Sequence, residues 1–558
     1  MKKLVITVLL GAVALAYATV ESENTARADL VIHNANVITV DDEKPRAAAV
    51  AVAAERIIYV GSAEQALSLA APDARTIDLH GKTLIPGFND NHVHTLGAGA
   101  FYLQPILWGM SCEEIARVVA EEAEKKKPGE VIMGNSWDYP TCPEPHKSIL
   151  DKAAPENPVF LVQYSGHAAW VNSRMLEKMD IDKDTEDPEG GQIVKDENGG
   201  PTGILRDTAM GNQQYAGYIK QILDPREHRR VLDKALELYR KAGLTSVQDN
   251  TWEPMTARLL TKYRRKEKLT CRFTCWPYGQ IKGMPYLMTL IPFDETWVRK
   301  GLWKYFADGA FSTRTAWLSE PYADEPGNTG SPRMTVKEIE KIVMKAAKNR
   351  RQITFHAIGD RAIHEVLNAV EKAQQKYPWT RDLRLRMEHL QIMKQEDIQR
   401  MKELGMVAAV QPFTLATPRK DVTLLGEERA RRAYPFKSIM RAGVPISFGS
   451  DVPAEVDYQP LLCIYYAVTR QNKAGDQGPL NPDECFTPEE ALYAYTMGSA
   501  YAEFMEDEKG SITEGKLADM TVLSDDLTEV PHHKILDISV EMTIVGGKIV
   551  YENPESKL

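Results

Sequence analysis

The chain predicts an α/β fold, a TIM (β/α)8 barrel inserted in a small β-sandwich, and three observations predict it. Through the middle of the chain, short apolar runs alternate with amphipathic segments of helical period, the pattern of parallel β/α units. Both ends consist of short alternating strands and Gly-rich turns. Four histidines, one lysine and one aspartate fall at or near the ends of central apolar runs, where a barrel carries its chemistry. The 558 residues exceed one ordinary core, and 43% apolar with 26% charged residues is a soluble, globular composition. A formal charge of -10 and a pI of 5.8 argue against nucleic acid or an anionic membrane as the main partner.

In chain order, the first element is a leader. Met1-Lys2-Lys3 is basic, residues 4–16 are apolar but short for a bilayer, and Ala16-Tyr17-Ala18 offers small residues for cleavage. Residues 1–18 therefore read as a signal peptide, and the mature protein as periplasmic or secreted, without a stable membrane anchor. An uncleaved anchor and a cut after Ala28 are the alternatives. Runs at 30–39, 49–53, 56–61 and 76–79 lie within a first sandwich part, 29–85. Runs at 518–523, 540–545 and 548–551, with a Gly546-Gly547 hairpin signal, lie within a second, 507–558. The barrel then occupies 86–506. Its eight candidate strands lie at 84–92, 244–248, 269–276, 302–306, 352–356, 384–389, 406–410 and 445–448, with helices such as 229–242, 335–350 and 360–377 between them. Residues 98–220 are far more than one connection needs and read as an inserted subdomain or lid after the first barrel strand.

Six cysteines do not make a disulfide framework. Cys271 and Cys275 are four strand residues apart, about 13 Å, too far for a bridge. Cys112 with Cys142 and Cys463 with Cys485 remain open, and no CxxC spacing suggests metal binding by sulfur.

His92 and His94 are at i and i+2 of a strand, so both imidazoles project to one side and can converge on a metal ion. His356, His389 and Asp451 follow later candidate strands. Each alone reads equally well as a core histidine or a helix cap, but together they converge on one barrel axis.

The chain resembles the amidohydrolase superfamily, and within it the amidohydrolase family 3 branch that includes N-substituted formamide deformylase-like proteins. The resemblance rests on Pro86-Gly87-Phe88-Asn89-Asp90-Asn91-His92-Val93-His94, Gly190-Gly191-Gln192-Ile193, Lys304 to Gly309 with Arg314-Thr315-Ala316, His356-Ala357-Ile358-Gly359-Asp360, Glu388-His389, Gly449-Ser450-Asp451 and the 510–519 segment. It implies a site of two divalent metal ions with His92, His94 and Asp451 on one, His356 and His389 on the other, and Lys304, as a CO2-derived carbamate, between them. A substrate-binding or structural Lys304 is the alternative. Zinc is the default for an imidazole-rich hydrolytic site, with iron, manganese and cobalt open.

The chemistry implied is metal-assisted hydrolysis of a carbon–nitrogen bond other than a peptide bond in a small-molecule substrate, with Asp451 as the proton-carrying catalytic residue. His167, Arg314 and Trp137 are the substrate-binding candidates, with a structural His167 and an Arg314 that only anchors its loop as the alternatives, and Asp360 is a candidate to orient His356. An esterase or phosphoesterase using the same site, and a non-catalytic binding or regulatory protein with a relic metal site, are the competing classes. A homo-oligomer is compatible with all of them.

Overall fold

The computed structural model describes residues 27–139, 141–164, 168–188, 191–211, 225–250, 254–281, 283–417 and 419–556. The leader and His167 lie outside the described residues. The architecture is α/β of the TIM-barrel type, with two parallel sheets at the centre and three further sheets around them.

One central sheet has the spatial order Val298–Lys300, Arg272–Cys275, Leu244–Asp249, Phe88–Val93. The other runs Trp303–Phe306, Ile353–Ala357, Arg386–His389, Val407–Val410, Ile446–Phe448, in chain order. Every neighbouring pair is parallel. At one seam the Lys304 N–H donates to the Pro277 carbonyl at 3.1 Å, and at the other the Asp451 N–H donates to the His92 carbonyl at 2.7 Å. No continuous ladder closes the sheets into a barrel among the described residues. The helices between strands follow their sequence signals. Val336–Lys348 starts at a Thr335/Glu338 capping box and buries Ile339, Val343, Ala346 and Ala347, an i, i+4, i+7, i+8 stripe.

The sequence suggests one continuous run into His92, but two strands exist. Thr83–Pro86 belongs to a six-stranded sheet, paired with Asn36–Ile38 and Met520–Leu523, and only Phe88–Val93 enters the central sheet. The break falls at Gly87, where a Cβ would stand 2.1 Å from the Thr245 side chain. A residue without a side chain lets the backbone change sheets against its neighbour. The six-stranded sheet mixes strands from both chain ends, and it shares a buried cluster including Leu30, Val50, Leu84, Val522 and Ile544 with a four-stranded sheet of N-terminal strands.

Between the first and second central strands lies a separate five-stranded sheet, Ile132–Trp137, Val159–Gln163, Ala168–Val171, Pro201–Asp207 and Gly191–Lys195, with its own apolar clusters. Cys112 and Cys142 are joined there by a disulfide with Cα atoms 4.8 Å apart. Cys463 and Cys485 form no disulfide, which closes the second pairing left open by the sequence, and neither do Cys271 and Cys275.

Candidate metal centre

The candidate histidines and Asp451 sit at or just beyond the C-terminal ends of central strands, and Lys304 is the second residue of Trp303–Phe306. His92 is in Phe88–Val93, and His94 opens the helix Thr95–Tyr102 immediately after it. His356 and His389 are in Ile353–Ala357 and Arg386–His389. Asp451 follows Ile446–Phe448 by three residues. Its approach depends on Gly449, where a Cβ would meet the Asn91 carboxamide oxygen at 2.4 Å and the His92 backbone nitrogen at 2.7 Å. The glycine allows the loop to press against the first strand.

The donor atoms of His92, His94 and Asp451 all lie within 4.8 Å of one another. His94 Nε2 is 3.1 Å and His92 Nε2 3.4 Å from Asp451 Oδ1. The His356 and His389 rings stand side by side, centroids 4.3 Å apart, and the His389 ring is 5.4 Å from that of His92. His389 Nδ1 donates to Gln411 Oε1 at 2.8 Å, and His356 Nε2 to the Gly309 carbonyl at 2.9 Å.

Burial is the main cause that holds His92, His356 and His389 well below the usual histidine range, and the Lys304 charge pushes each in the same direction. These imidazoles are neutral, as metal ligands must be. Burial brings the Lys304 ammonium down to about 8, against the pull of Glu388 and Asp451. At Asp451 burial acts upward, but His92, His94 and Lys304 outweigh it and the carboxyl lies below its ordinary range. Neutral nitrogens and an ionised carboxylate around one point are a donor set that fits a divalent transition ion.

The amidohydrolase family profile matches residues 75–551. The chain belongs to the amidohydrolase family. An N-substituted formamide deformylase of Arthrobacter pascens is 31% identical over 562 residues, covering 95% of this chain and all of that one. Protein LONG AFTER FAR-RED 3 of Arabidopsis thaliana is 32% identical, with 94% of this chain and 92% of that one covered. An uncharacterized metal-dependent hydrolase from Pyrococcus horikoshii OT3 superposes with a TM-score of 0.73 at 25% identity, over 90% of this chain and 99% of that one. This amidohydrolase is accordingly a metal-dependent hydrolase.

Trp137 and Asp360 need correction in this amidohydrolase, and Arg314 takes the loop-anchoring alternative. Trp137 is a core side chain, fully buried in the cluster of the five-stranded sheet, with its indole N–H donating to the Leu161 carbonyl at 2.9 Å, so no face remains for substrate. Arg314 is paired with Asp324, Nε to Oδ2 at 3.2 Å, and anchors its own loop. Asp360 accepts from the Ser319 N–H at 2.8 Å, whereas the carboxylate nearest His356 is Asp308, 3.8 Å from Nε2.

Sequence reasoning missed the groups that orient the ligands. Glu388 was legible only as part of a family mark, yet it receives the His92 Nδ1–H at 2.8 Å and the Thr354 hydroxyl at 2.6 Å. Because Nδ1 carries the proton, Nε2 keeps the lone pair. The Asn250 carboxamide lies 3.2 Å from that nitrogen. Beside the centre is a cavity of about 330 Å³ whose lining includes Trp108, Tyr164, Phe413, Tyr466, Glu455 and Asp457.

Proposed function

We propose that this amidohydrolase is exported and hydrolyses a non-peptide, amide-type carbon–nitrogen bond of a small molecule. The observation that carries the reading is the convergence of His92, His94 and Asp451 within 4.8 Å beside the neutral His356 and His389. His92, His94 and Asp451 would hold one divalent ion, His356 and His389 a second, and Lys304 would bridge them as its carbamate. Zinc suits these donors best. Bound there, the ions would supply Lewis acidity toward a carbonyl and acidify water.

The remaining work falls to the chain. Asp451, ionised at neutral pH, would accept a proton from the attacking water and return it to the departing nitrogen, which leaves poorly as an anion. Glu388 would keep His92 in one tautomer. Lys304, brought to about 8 by burial, would offer far more of the neutral amine to which CO2 adds than an ordinary lysine does. The name of the Arthrobacter pascens relative supports an amide over an ester or phosphoester substrate.

The two central sheets, joined at each seam by backbone hydrogen bonds, support reading 86–506 as a TIM barrel carried on a sandwich of 29–85 and 507–558, with 98–220 as a lid. The Cys112–Cys142 disulfide and the composition of residues 1–18 support export, since such bridges persist in oxidising compartments. The test is turnover by purified, metal-loaded protein of N-formyl and N-acyl amines, lactams and matched esters. The expected result is amide hydrolysis abolished by a chelator. Turnover of esters alone, or turnover that needs no metal, overturns the reading.

A further inference from the structure

The cavity beside the metal-ligand set joins aromatic walls to carboxylates. Trp108 and Tyr164 pair with ring centroids 4.4 Å apart and are 52% and 47% exposed, whereas Phe413 and Tyr466, 6.1 Å apart, are buried. Two half-open rings and two buried ones on one cavity give it a solvent end and a closed end. Glu455 and Asp457 line the same space. Lys473, also in the lining, acts on Asp457. Glu455 differs, because among the described residues its carboxylate accepts no hydrogen bond and has no cation within 4 Å. The charges around it are Asp421, Asp451 and Asp457 against Lys420. Its N–H donates to the Asp451 carbonyl at 3.4 Å, so Glu455 stands one turn beyond the proposed metal ligand and links that loop to the cavity lining.

An apolar enclosure accepts many groups, but a carboxylate left without a donor inside one is costly until a ligand supplies the partner. Aromatic faces add their own attraction for cations and little for neutral polar groups. An anionic ligand would meet the carboxylates of Glu455 and Asp457, with Lys473 beside them. We propose that this cavity is the specificity pocket of the hydrolase, selecting substrates that carry a positively charged group on a short apolar arm, with Glu455 as the counter-charge and Trp108, Tyr164, Phe413 and Tyr466 as its walls. The proposal rests on the amide-hydrolase reading for the reacting bond, but the pocket itself can be tested by binding alone.

Choline and its uncharged isostere 3,3-dimethylbutan-1-ol are the probes, titrated calorimetrically into the metal-loaded full-length protein. Choline should bind about ten-fold or more tightly than the alcohol, the size of a desolvated cation–aromatic and ion-pair contact. Glu455→Gln should bring the two within about two-fold, and Trp108→Leu, at a half-exposed position, should shrink the preference several-fold. Equal binding of both probes to the unaltered protein, or a preference that survives in a folded Glu455→Gln protein, overturns the proposal. Hydrolysis of neutral amides without any preference for cationic ones would remove the pocket and leave the hydrolase reading standing. A Glu455-dependent choline preference in a protein that cleaves no amide would do the reverse.

Discussion

Glu388 accepts a hydrogen bond from His92 Nδ1 at 2.8 Å, and both side chains are withdrawn from water. The same carboxylate is 3.0 Å from Arg386, so its charge is balanced while one oxygen fixes the imidazole. This contact joins the strands Phe88–Val93 and Arg386–His389 and sets which nitrogen of His92 faces Asp451.

Removing the charge from that carboxylate should loosen the metal site without dismantling it. Glu388→Gln is expected to lower metal affinity about 10- to 100-fold, the usual effect of losing a histidine's carboxylate partner. Competition against a chelator of known affinity measures it. Unchanged affinity would mean that His92 is held by its strand alone.

Asp451→Asn keeps a coordinating oxygen but cannot carry a proton. Metal content should remain substantial while kcat falls by about 10²- to 10⁴-fold. Amides with good leaving groups should lose less than alkyl amides, measured on preparations of known metal content. Fast turnover of alkyl amides would take Asp451 out of proton transfer.

Lys304→Ala should lose metal and activity together, and short carboxylic acids should partly restore both by standing in for a carbamate. In the unaltered protein, ¹³C-bicarbonate should label a lysine side chain, read by NMR. A variant with normal metal content and turnover would place any bridge elsewhere.

Arg272, buried at the start of a central strand, donates to Asp519 at 2.7 Å, at the edge of the terminal sheet. Asp519→Ala leaves that guanidinium with Glu55 as its one carboxylate, at 3.3 Å, beside the Thr296 carbonyl, and should cost about 3 kcal/mol, the lower end for a broken buried pair. Urea unfolding measures the loss. A change below about 1 kcal/mol would show that Glu55 compensates fully.

Burial pushes the Asp90 carboxyl up to about 7 from its ordinary 3.8, although N–H groups of His92 and Ser450 and the Tyr495 hydroxyl donate to it. Its folded pKa lies above its unfolded one, so its contribution to stability is complete below about 4 and is lost as pH rises toward 7. Relative to Asp90→Asn, which does not titrate, the unaltered metal-free protein should lose about 1.4 kcal/mol per pH unit across that window. Urea midpoints of both proteins at several pH values give the difference. A difference independent of pH would show that Asp90 stays ionised in the fold.

The sequence by itself determined the parallel β/α centre, the strand-rich ends, and the ligand candidates His92, His94, His356, His389 and Asp451. Each of those readings depends on a period of two or 3.6 residues or on a residue's position at the end of an apolar run, and such signals are local. Tertiary structure alone decided the rest. It broke the strand at Gly87 because Thr245 lies against it, and it brought Glu388 to His92 across 296 residues and Gln411 to His389 across 22. It also buried Trp137 in a core of its own and left Trp108 and Tyr164 half exposed on a cavity, a division among aromatic residues that no pattern along the chain expresses. Partners of this kind are chosen by packing between strands, where distance along the chain carries no information about distance in space.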